Sequence, residues 1–416
     1  MIDSFDGAEH IKTKKKKISF ISFSTVMTVK SVIKGGQSTC SSFGILTWMQ
    51  VQADEKREVL FPVLQELYKE KKKLRNDKEF SDIEFTDMHD QKMSYLLTQH
   101  SLWNRKVNPF IACHCKRGEG VQRNNDPNFI CKDVTDEEHV SYYERSEKRL
   151  ERKKARLGPN EIYTSKHHRD WCDEHNLGIT HYGINPKHLP VSSIRYDVMH
   201  MGMALNRSNI TYTRKFVLSQ EQAFIDTFNN HLRTFWGEYH LFVWNNDKPF
   251  SSFHGNELKL WTKNIPKTVA VIRENFETTE QVANLCLLLT TFAKLPDFWN
   301  MTEIENESDY PQLIVEYETN AKILYDVGAK TVLTNNTKGD CETIYYHVAR
   351  YYIPKIARKL FEMYGLGVGV FNMQGFERRN KESKNTLKRF CNHKGNIVLP
   401  NLKRIWDIFY NSKNAY

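Results

Sequence analysis

Apolar and polar residues alternate near the start of the chain. In the segment Ile18-Ser19-Phe20-Ile21-Ser22-Phe23-Ser24, apolar side chains recur at nearly every second position, which is the period of a half-buried β-strand. An acidic entry segment containing Phe5-Asp6-Gly7 and the lysine run 14–17 precede this segment. The pattern therefore predicts a β-hairpin over residues 1–30.

The pattern changes period in the following segments. Within residues 52–76, apolar side chains recur at helical spacing, at Leu60, Val63, Leu64 and Leu67. This spacing predicts a helix that packs on the sheet formed by the hairpin. The short run Ile83-Glu84-Phe85-Thr86 predicts another strand, with Asp87 and Asp90 behind it. A strand, a helix and a strand in this order favour an α/β fold.

The middle of the chain divides into two differently patterned regions. Residues 116–200 are polar and contain the basic run 148–156, which is typical either of an arm or linker that faces DNA or of a solvated helix. From about residue 200 to 345, four segments each carry an apolar helical face: 216–236, 258–276, 279–298 and 310–332. We expect an all-helical block there.

Three glycines follow the helical block at positions 365, 367 and 369. Their spacing matches neither the dinucleotide-binding fingerprint nor the P-loop, and no Gly-Lys-Ser/Thr sequence accompanies them. We therefore expect a closely packed turn at these glycines rather than a phosphate-binding loop.

Charge and composition narrow the range of partners. Sixty Lys and Arg against fifty Asp and Glu give a net charge of +10 and a pI near 9.0, which favours a polyanionic partner such as nucleic acid. The chain has no run of 18 apolar residues, so we expect no membrane-spanning segment. The first thirty residues lack the order of a signal peptide. The eight cysteines are scattered, which favours reduced thiols or metal ligands over disulfides.

Three acidic residues in separate segments are candidates for metal binding. Asp6 lies on the first predicted strand, Asp90 follows a later strand, and Glu377 begins the basic stretch 375–390. Three such carboxylates can hold two Mg²⁺ or Mn²⁺ ions about 4 Å apart, an arrangement suited to cleaving phosphodiesters. Cations after Glu377 could neutralise DNA phosphates, and a solvated helix face would explain them equally well: Arg378, Arg379, Lys384, Lys388 and Arg389.

The motifs around these residues resemble the catalytic core of DDE-type cut-and-paste DNA transposases, the group that includes the V(D)J recombinase catalytic subunit and Transib-type transposases. Phe5-Asp6-Gly7 precedes a strand rich in Ser and Phe, and Asp90-Gln91-Lys92-Met93 lies upstream of the paired cysteines in Cys113-His114-Cys115. His347 is followed seven residues later by Pro354, and the segment 377–390 is similar to the family's glutamate motif.

Two further motifs extend the resemblance across most of the chain. Asp197-Val198-Met199-His200 is similar to an Asp-X-X-His element near the start of the helical domain that this family inserts into its core. Gly255-Asn256, followed by Leu260-Trp261-Thr262-Lys263, is similar to another piece of that insertion.

The resemblance implies a ribonuclease H-like core interrupted by a large all-helical insertion, within the α/β class. Residues 1–115 would form the first part of the core, 116–200 the basic arm and linker, 201–345 the insertion, and 346–416 the closing helices that carry Glu377. Asp6 and Asp90 would share Mg²⁺ or Mn²⁺ with Glu377. The implied activity is metal-dependent cleavage and joining of double-stranded DNA, at transposon ends and target, by a nuclear homodimer.

The resemblance also implies a zinc site, from which this sequence departs. The family pairs two cysteines spaced C-x-x-C with two histidines five residues apart. Here the cysteines are Cys113 and Cys115, the first histidine is His347, and Tyr352 stands at the position of the second. Structural zinc takes four ligands, and the missing one could come from His114, Cys131 or His139. Buried structural thiols without a metal are the alternative.

Several alternatives remain open. Asp87 and Asp197 are rivals to Asp90, which Lys92 and the spacing to Cys113 favour, whereas Asp197 is expected to open the helical insertion. Only five residues precede Asp6, so we expect that the core is truncated and that an upstream DNA-binding domain is missing. The alternative to an active enzyme is a catalytically inactive, domesticated or decayed transposase relic that binds DNA. A third hypothesis is a zinc hydrolase built on the His-rich stretch 167–188. The sequence supports it less than the other two, because no His-Glu-X-X-His spacing occurs.

Overall fold

The computed structural model describes residues 2–12, 17–26, 45–51, 57–80, 83–90, 93–94, 97, 111–115, 119–154, 185, 187–237, 253, 255–328 and 341–390. The chain divides into two compact units. Unit 1 comprises Met1–His114, Lys132–Asp197 and Val370–Tyr416, and unit 2 comprises Cys115–Cys131 and Val198–Gly369. The predicted arm at 116–200 is therefore shared between the units, and the chain leaves unit 1 after Asp197 and returns to it at Val370.

Unit 1 is built on a sheet whose five described strands follow the order β3-β2-β1-β4-β5. Their bounds are Ile2–Lys12 (β1), Lys17–Val26 (β2), Ile45–Val51 (β3), Thr86–His89 (β4) and Ile194–Tyr196 (β5). β2 pairs antiparallel with β1 and β3, whereas β4 pairs parallel with β1 and β5. The predicted hairpin is confirmed, and β3 was not predicted. This sheet and its helices agree with the predicted α/β class.

The predicted strand at 83–86 is wrong in its bounds, because β4 begins only at Thr86. Asp87 and His89 are buried polar residues inside the strand, and Asp is depleted in strands, so the pattern did not extend the strand past Thr86. The chain tolerates Asp87 there because cationic side chains from a neighbouring helix pair with it.

Three of the described helices lie along the chain between β3 and β5. Helix α1 (Arg57–Arg75) confirms the helix predicted within 52–76, and its side chains Leu64 and Tyr68 are buried. A short helix, α2 (Glu119–Gln122), lies in unit 2 and precedes α3 (Asp136–Lys154) of unit 1. The basic run 148–156 begins within α3, and its residues after Lys154 lie outside the described part of the chain.

The secondary-structure elements that the structure describes in unit 2 are helices, joined by turns and short extended segments. Its longer helices are Val198–Leu218 (α4), Gln222–Trp236 (α5), Gly255–Asn275 (α6), Glu280–Ala293 (α7) and Tyr310–Gly328 (α9). Pro296–Asn300 (α8), Cys341–His347 (α10), a π-helix at Val348–Tyr352 and Ile353–Tyr364 (α11) complete it. The predicted all-helical block is confirmed, and no helix in the described residues has both the length and the apolarity needed to cross a bilayer.

Two predicted helices have different bounds in the structure. The segment 216–236 contains the end of α4 and all of α5, and the segment 279–298 is divided between α7 and α8. The second break is explained by Pro296, which begins α8 because proline is tolerated in the first turn of a helix and not in its interior.

The glycine turn after α11 is closely packed, as predicted. Gly365 ends α11 with a positive φ of 63°. A Cβ atom on Gly367 would lie 2.2 Å from the carbonyl oxygen of Met301, and one on Gly369 would lie 2.8 Å from the same oxygen. These glycines therefore allow backbone to pack on backbone. The last described helix, α12 (Gln374–Phe390), returns to unit 1 and packs on β1 and β3.

Candidate metal centre

Three cysteines and one histidine form a buried cluster with the spacing of a metal site. The ligand atoms of Cys113, Cys115, Cys131 and His347 all lie within 4.8 Å of one another. The sulfurs of Cys115 and Cys131 are 3.4 Å apart, and the Cys131 sulfur is 3.7 Å from Nε2 of His347. A tetrahedral zinc ion with Zn–S distances of about 2.3 Å would separate two sulfurs by about 3.8 Å. The cluster could therefore hold a metal ion such as zinc.

A short antiparallel ribbon brings the cysteines together. The N–H of His114 donates to the carbonyl of Lys132, and the N–H of Val134 donates to the carbonyl of Ala112, both at 3.0 Å. In an extended segment, side chains two residues apart point to the same face. The C-x-C spacing of Cys113 and Cys115 therefore directs both thiols to one side, where the segment that pairs with Cys113 through Asp133 presents Cys131.

His347 reaches the cluster from the end of α10, at the junction with the π-helix. Aromatic rings surround it: the ring centroid of Tyr351 lies 4.8 Å from that of His347, and those of Tyr352 and Tyr325 lie at 5.5 and 6.5 Å. Single-turn π-helices are frequent at functional sites, since they rotate the side chains that follow relative to those that precede. Tyr352 packs against the imidazole, and Cys131 completes the group of four.

The loop that carries Cys131 is held against His347 by close contacts within unit 2. Tyr351 donates a hydrogen bond of 3.0 Å to the carbonyl of Gly120, and a Cβ atom on Gly120 would lie 3.0 Å from Nδ1 of His347. The Lys355 ammonium donates to the carbonyl of Cys131 at 2.6 Å. Three thiolates and a divalent ion carry a net negative charge, which this ammonium would partly offset.

The other proposed fourth ligands lie outside this group of four. Nε2 of His114 is 2.9 Å from a carboxylate oxygen of Glu138, which belongs to a capping box at the start of α3. The pKa of Glu138 is lowered, mainly by the hydrogen bond from the backbone N–H of Thr135 and next by that from the ring of His114. His139 is buried but is not among the four clustered residues. Cys131 is thus the fourth donor that the structure selects.

The three predicted catalytic carboxylates lie on elements of unit 1. Asp6 is within β1, where its backbone is level with Ser22 of β2, and its side chain lies outside the described part of the structure. Asp90 directly follows β4, and its carboxylate accepts the N–H of Met93 at 2.6 Å. Glu377 is exposed in the first turn of α12. The joint metal site of these residues stays a prediction.

The basic residues of α12 differ in exposure. Arg378 is exposed and Lys384 is partly exposed, whereas Arg379 is buried and lies 3.6 Å from a carboxylate oxygen of Glu382. The side chains of Lys388 and Arg389 lie outside the described part, as does most of the His-rich stretch 167–188. Their proposed contacts with DNA stay predictions.

Asp87, the rival of Asp90 for the second catalytic position, is a buried carboxylate that is hydrogen-bonded within the protein. Its side chain is completely buried, and its oxygens accept hydrogen bonds at 2.6 to 3.3 Å from Lys71, Tyr68, Ser193 and Arg75. Burial raises the pKa of this carboxyl, but the charges of Lys71, His89 and Arg75 outweigh burial and hold it below its ordinary value. Four donors within the protein leave Asp87 better suited to stabilising the sheet than to binding a metal.

Comparison with protein-family models found none that matches this chain, and no curated protein matches it either. The assignment to the DDE-type transposases is therefore a hypothesis that rests on the motifs described above.

Proposed function

We propose that this chain is a transposon-derived DNA transposase or recombinase core, with unit 1 as its ribonuclease H-like domain. Asp6, Asp90 and Glu377 would hold two Mg²⁺ or Mn²⁺ ions. When bound, such ions activate the attacking water or 3′-hydroxyl and stabilise the leaving oxygen of a phosphodiester. The reaction would be cleavage and joining of double-stranded DNA, carried out in the nucleus by a homodimer.

The register of β1 and β4 supports this function. The two strands are parallel neighbours, and Asp3 is level with Asp87. Asp6 and Asp90 each lie three residues further along, so the same register would bring both to one level of the sheet. β1 is also the central strand, as expected if the first carboxylate of the core lies there.

The placement of α12 supports the proposed role of Glu377 as third carboxylate. α12 packs on β1, the strand that contains Asp6, and carries Glu377 in its first turn. Arg378 follows directly and is exposed. Exposed cations beside a carboxylate site would attract the DNA backbone toward the metal ions, and the +10 net charge of the chain acts in the same direction.

The Cys₃His centre fits a structural role within this proposal. Its four donors are all protein side chains and all buried, so a tetrahedral ion there would have no open position for water. A catalytic zinc keeps such a position open. At this cluster, the donor set therefore favours a zinc ion that stabilises the fold over a catalytic zinc ion.

DNA cleavage by the full chain tests the proposal. We would incubate the protein with double-stranded DNA and Mg²⁺ or Mn²⁺, and compare Glu377→Gln with Glu382→Gln, which makes the same charge change on the same helix. We expect Glu377→Gln to lower the cleavage rate by about 1,000-fold, because a metal contributes several kcal/mol and each 1.36 kcal/mol is tenfold in rate. Glu382→Gln should cleave at nearly the wild-type rate.

Three other outcomes each contradict a part of the proposal. DNA binding with a steep salt dependence and no cleavage by the folded wild type would identify the inactive relic. Equal loss of activity in both variants would show that Glu377 has no special role. Absence of both binding and cleavage would reject a DNA-directed function altogether.

A further inference from the structure

Asp197 follows β5, the strand that pairs in parallel with β4. His89, the last residue of β4, is level with Tyr196, the last residue of β5. Asp90 and Asp197 are the next residues along these two strands. The side chain of Asp197 is buried, which is costly for a carboxylate without a partner.

Asp197 has a partner at the start of α12. Its Oδ1 accepts the backbone N–H of Met373 at 3.2 Å. The carbonyl of Met373 in turn accepts the backbone N–H of Glu377 at 3.0 Å, in the first turn of α12. Two successive hydrogen bonds therefore connect the end of β5 with the backbone of the residue proposed as the third metal ligand.

The contact between Asp197 and Met373 joins the two points at which the chain leaves unit 1 and returns to it. The chain leaves unit 1 immediately after Asp197 and returns at Val370, with the whole of Val198–Gly369 between. Asp197 and Met373 are therefore far apart in the chain and close together in unit 1. The bond to Met373 joins the returning chain to the end of β5, the strand that pairs with the one before Asp90.

We infer that Asp197 is a positioning residue that sets the place of Glu377 relative to Asp90. This inference rests on the proposed function, in which Glu377 binds metal. Asp197 acts through the acceptor oxygen that receives the Met373 N–H, not as a metal ligand. An asparagine at this position keeps a carbonyl oxygen of the same reach, whereas a leucine fills the same buried space without an acceptor.

Two variants of the full chain separate these roles. We expect Asp197→Asn to require the wild-type Mn²⁺ concentration for half-maximal DNA cleavage, and Asp197→Leu to require about tenfold more, as for the loss of one hydrogen bond. Asp136→Leu is the matched control, because Asp136 also accepts a backbone N–H, that of Ser192 beside β5, but is not bonded to α12. It should leave the Mn²⁺ requirement unchanged.

Hydrogen exchange gives a readout that does not depend on activity. In Asp197→Leu, the amides of residues 373–380 should exchange faster, while those in Asp197→Asn should exchange as in the wild type. A wild type that neither cleaves DNA nor binds Mn²⁺ would reject the proposed function, and the exchange pattern would still decide whether Asp197 holds the start of α12.

Two results overturn the inference. The first is that Asp197→Asn keeps slow exchange and yet needs as much Mn²⁺ as Asp197→Leu, which would mean that the charge of Asp197 matters rather than its acceptor oxygen. Alternatively, Asp197→Leu could match the wild type in both measurements. If Asp197→Leu does not fold, the Mn²⁺ requirement of Asp197→Asn alone decides whether the charge or the acceptor oxygen of Asp197 matters.

Discussion

The ammonium nitrogen of Lys71 lies 2.6 Å from Oδ1 of Asp87, and both side chains are almost completely buried. The pair connects α1 with β4, which lies between β1 and β5 in the sheet. Tyr68, Arg75 and Ser193 satisfy the remaining oxygen positions of the carboxylate. Removing one member of such a pair leaves an uncompensated charge inside the protein, which is strongly destabilising.

Replacing Asp87 by asparagine should therefore lower the free energy of unfolding by about 3 to 5 kcal/mol, the usual cost of breaking a buried ion pair from one side. Urea denaturation measures this change. The matched control is Glu70→Gln, because Glu70 and Lys73 are also 2.6 Å apart but are exposed. An exposed pair contributes at most about 1 kcal/mol. Equal effects of the two substitutions would show that burial of the Asp87 pair does not matter.

The same carboxylate predicts how stability responds to acid. The folded state lowers the pKa of Asp87 below 3.8, so its contribution is present at pH values above 3.8 and is lost as pH falls through the folded value. The free energy of unfolding should decrease below about pH 4, and this decrease should be smaller in Asp87→Asn. Urea denaturation at a series of pH values checks this. An identical acid dependence in both proteins would exclude Asp87 as a contributor.

Zinc content tests the Cys₃His centre. We expect one zinc ion per chain by elemental analysis of the wild type, and a zinc affinity lowered by more than about 100-fold in Cys131→Ser, since altering even outer contacts costs 10- to 100-fold. Cys286→Ser is the control, because Cys286 is also buried but lies on α7, outside the cluster. Its zinc content should match the wild type. Equal zinc loss in both variants would contradict the assignment.

A methyl group at Gly120 should disturb the same centre by crowding. A Cβ atom there would lie 3.0 Å from His347 Nδ1 and 3.0 Å from the hydroxyl of Tyr325. Gly120→Ala should cost about 1 to 3 kcal/mol of stability, as overpacking does in other cores. Gly255→Ala, in contrast, has no heavy atom within 4 Å of its Cβ and should not destabilise the protein. Thermal unfolding of the two variants compares them, and a neutral Gly120→Ala would show that the site adjusts freely.

The start of α7 offers a test of helix capping in unit 2. The hydroxyl of Thr279 accepts the N–H of Val282, whereas Glu221, at the equivalent position before α5, makes no side-chain cap. Thr279→Ala should lower stability by about 1 kcal/mol, and Glu221→Ala should change it much less. Denaturant titrations distinguish the two. A larger loss in Glu221→Ala would contradict the capping assignment.

Elements with a strong local period were predictable from the sequence. The hairpin β1–β2 and helix α1 follow from alternation and from helical spacing, because these periods belong to each segment alone. The close packing of Gly367 was predicted because the glycines around it match no phosphate-binding motif. By contrast, the bounds of β4 were wrong, because the partners that allow Asp87 inside a strand come from another element.

The sequence by itself determined the hairpin, the long helices, the basic charge and a set of candidate ligands, since each depends on neighbouring residues or on composition. Only the tertiary structure decided that Cys131 joins Cys113, Cys115 and His347. It also decided that Asp197 bonds to the chain as it returns at Met373. Both contacts join residues far apart in the sequence, and such pairings are fixed by packing and strand register, which no local pattern records.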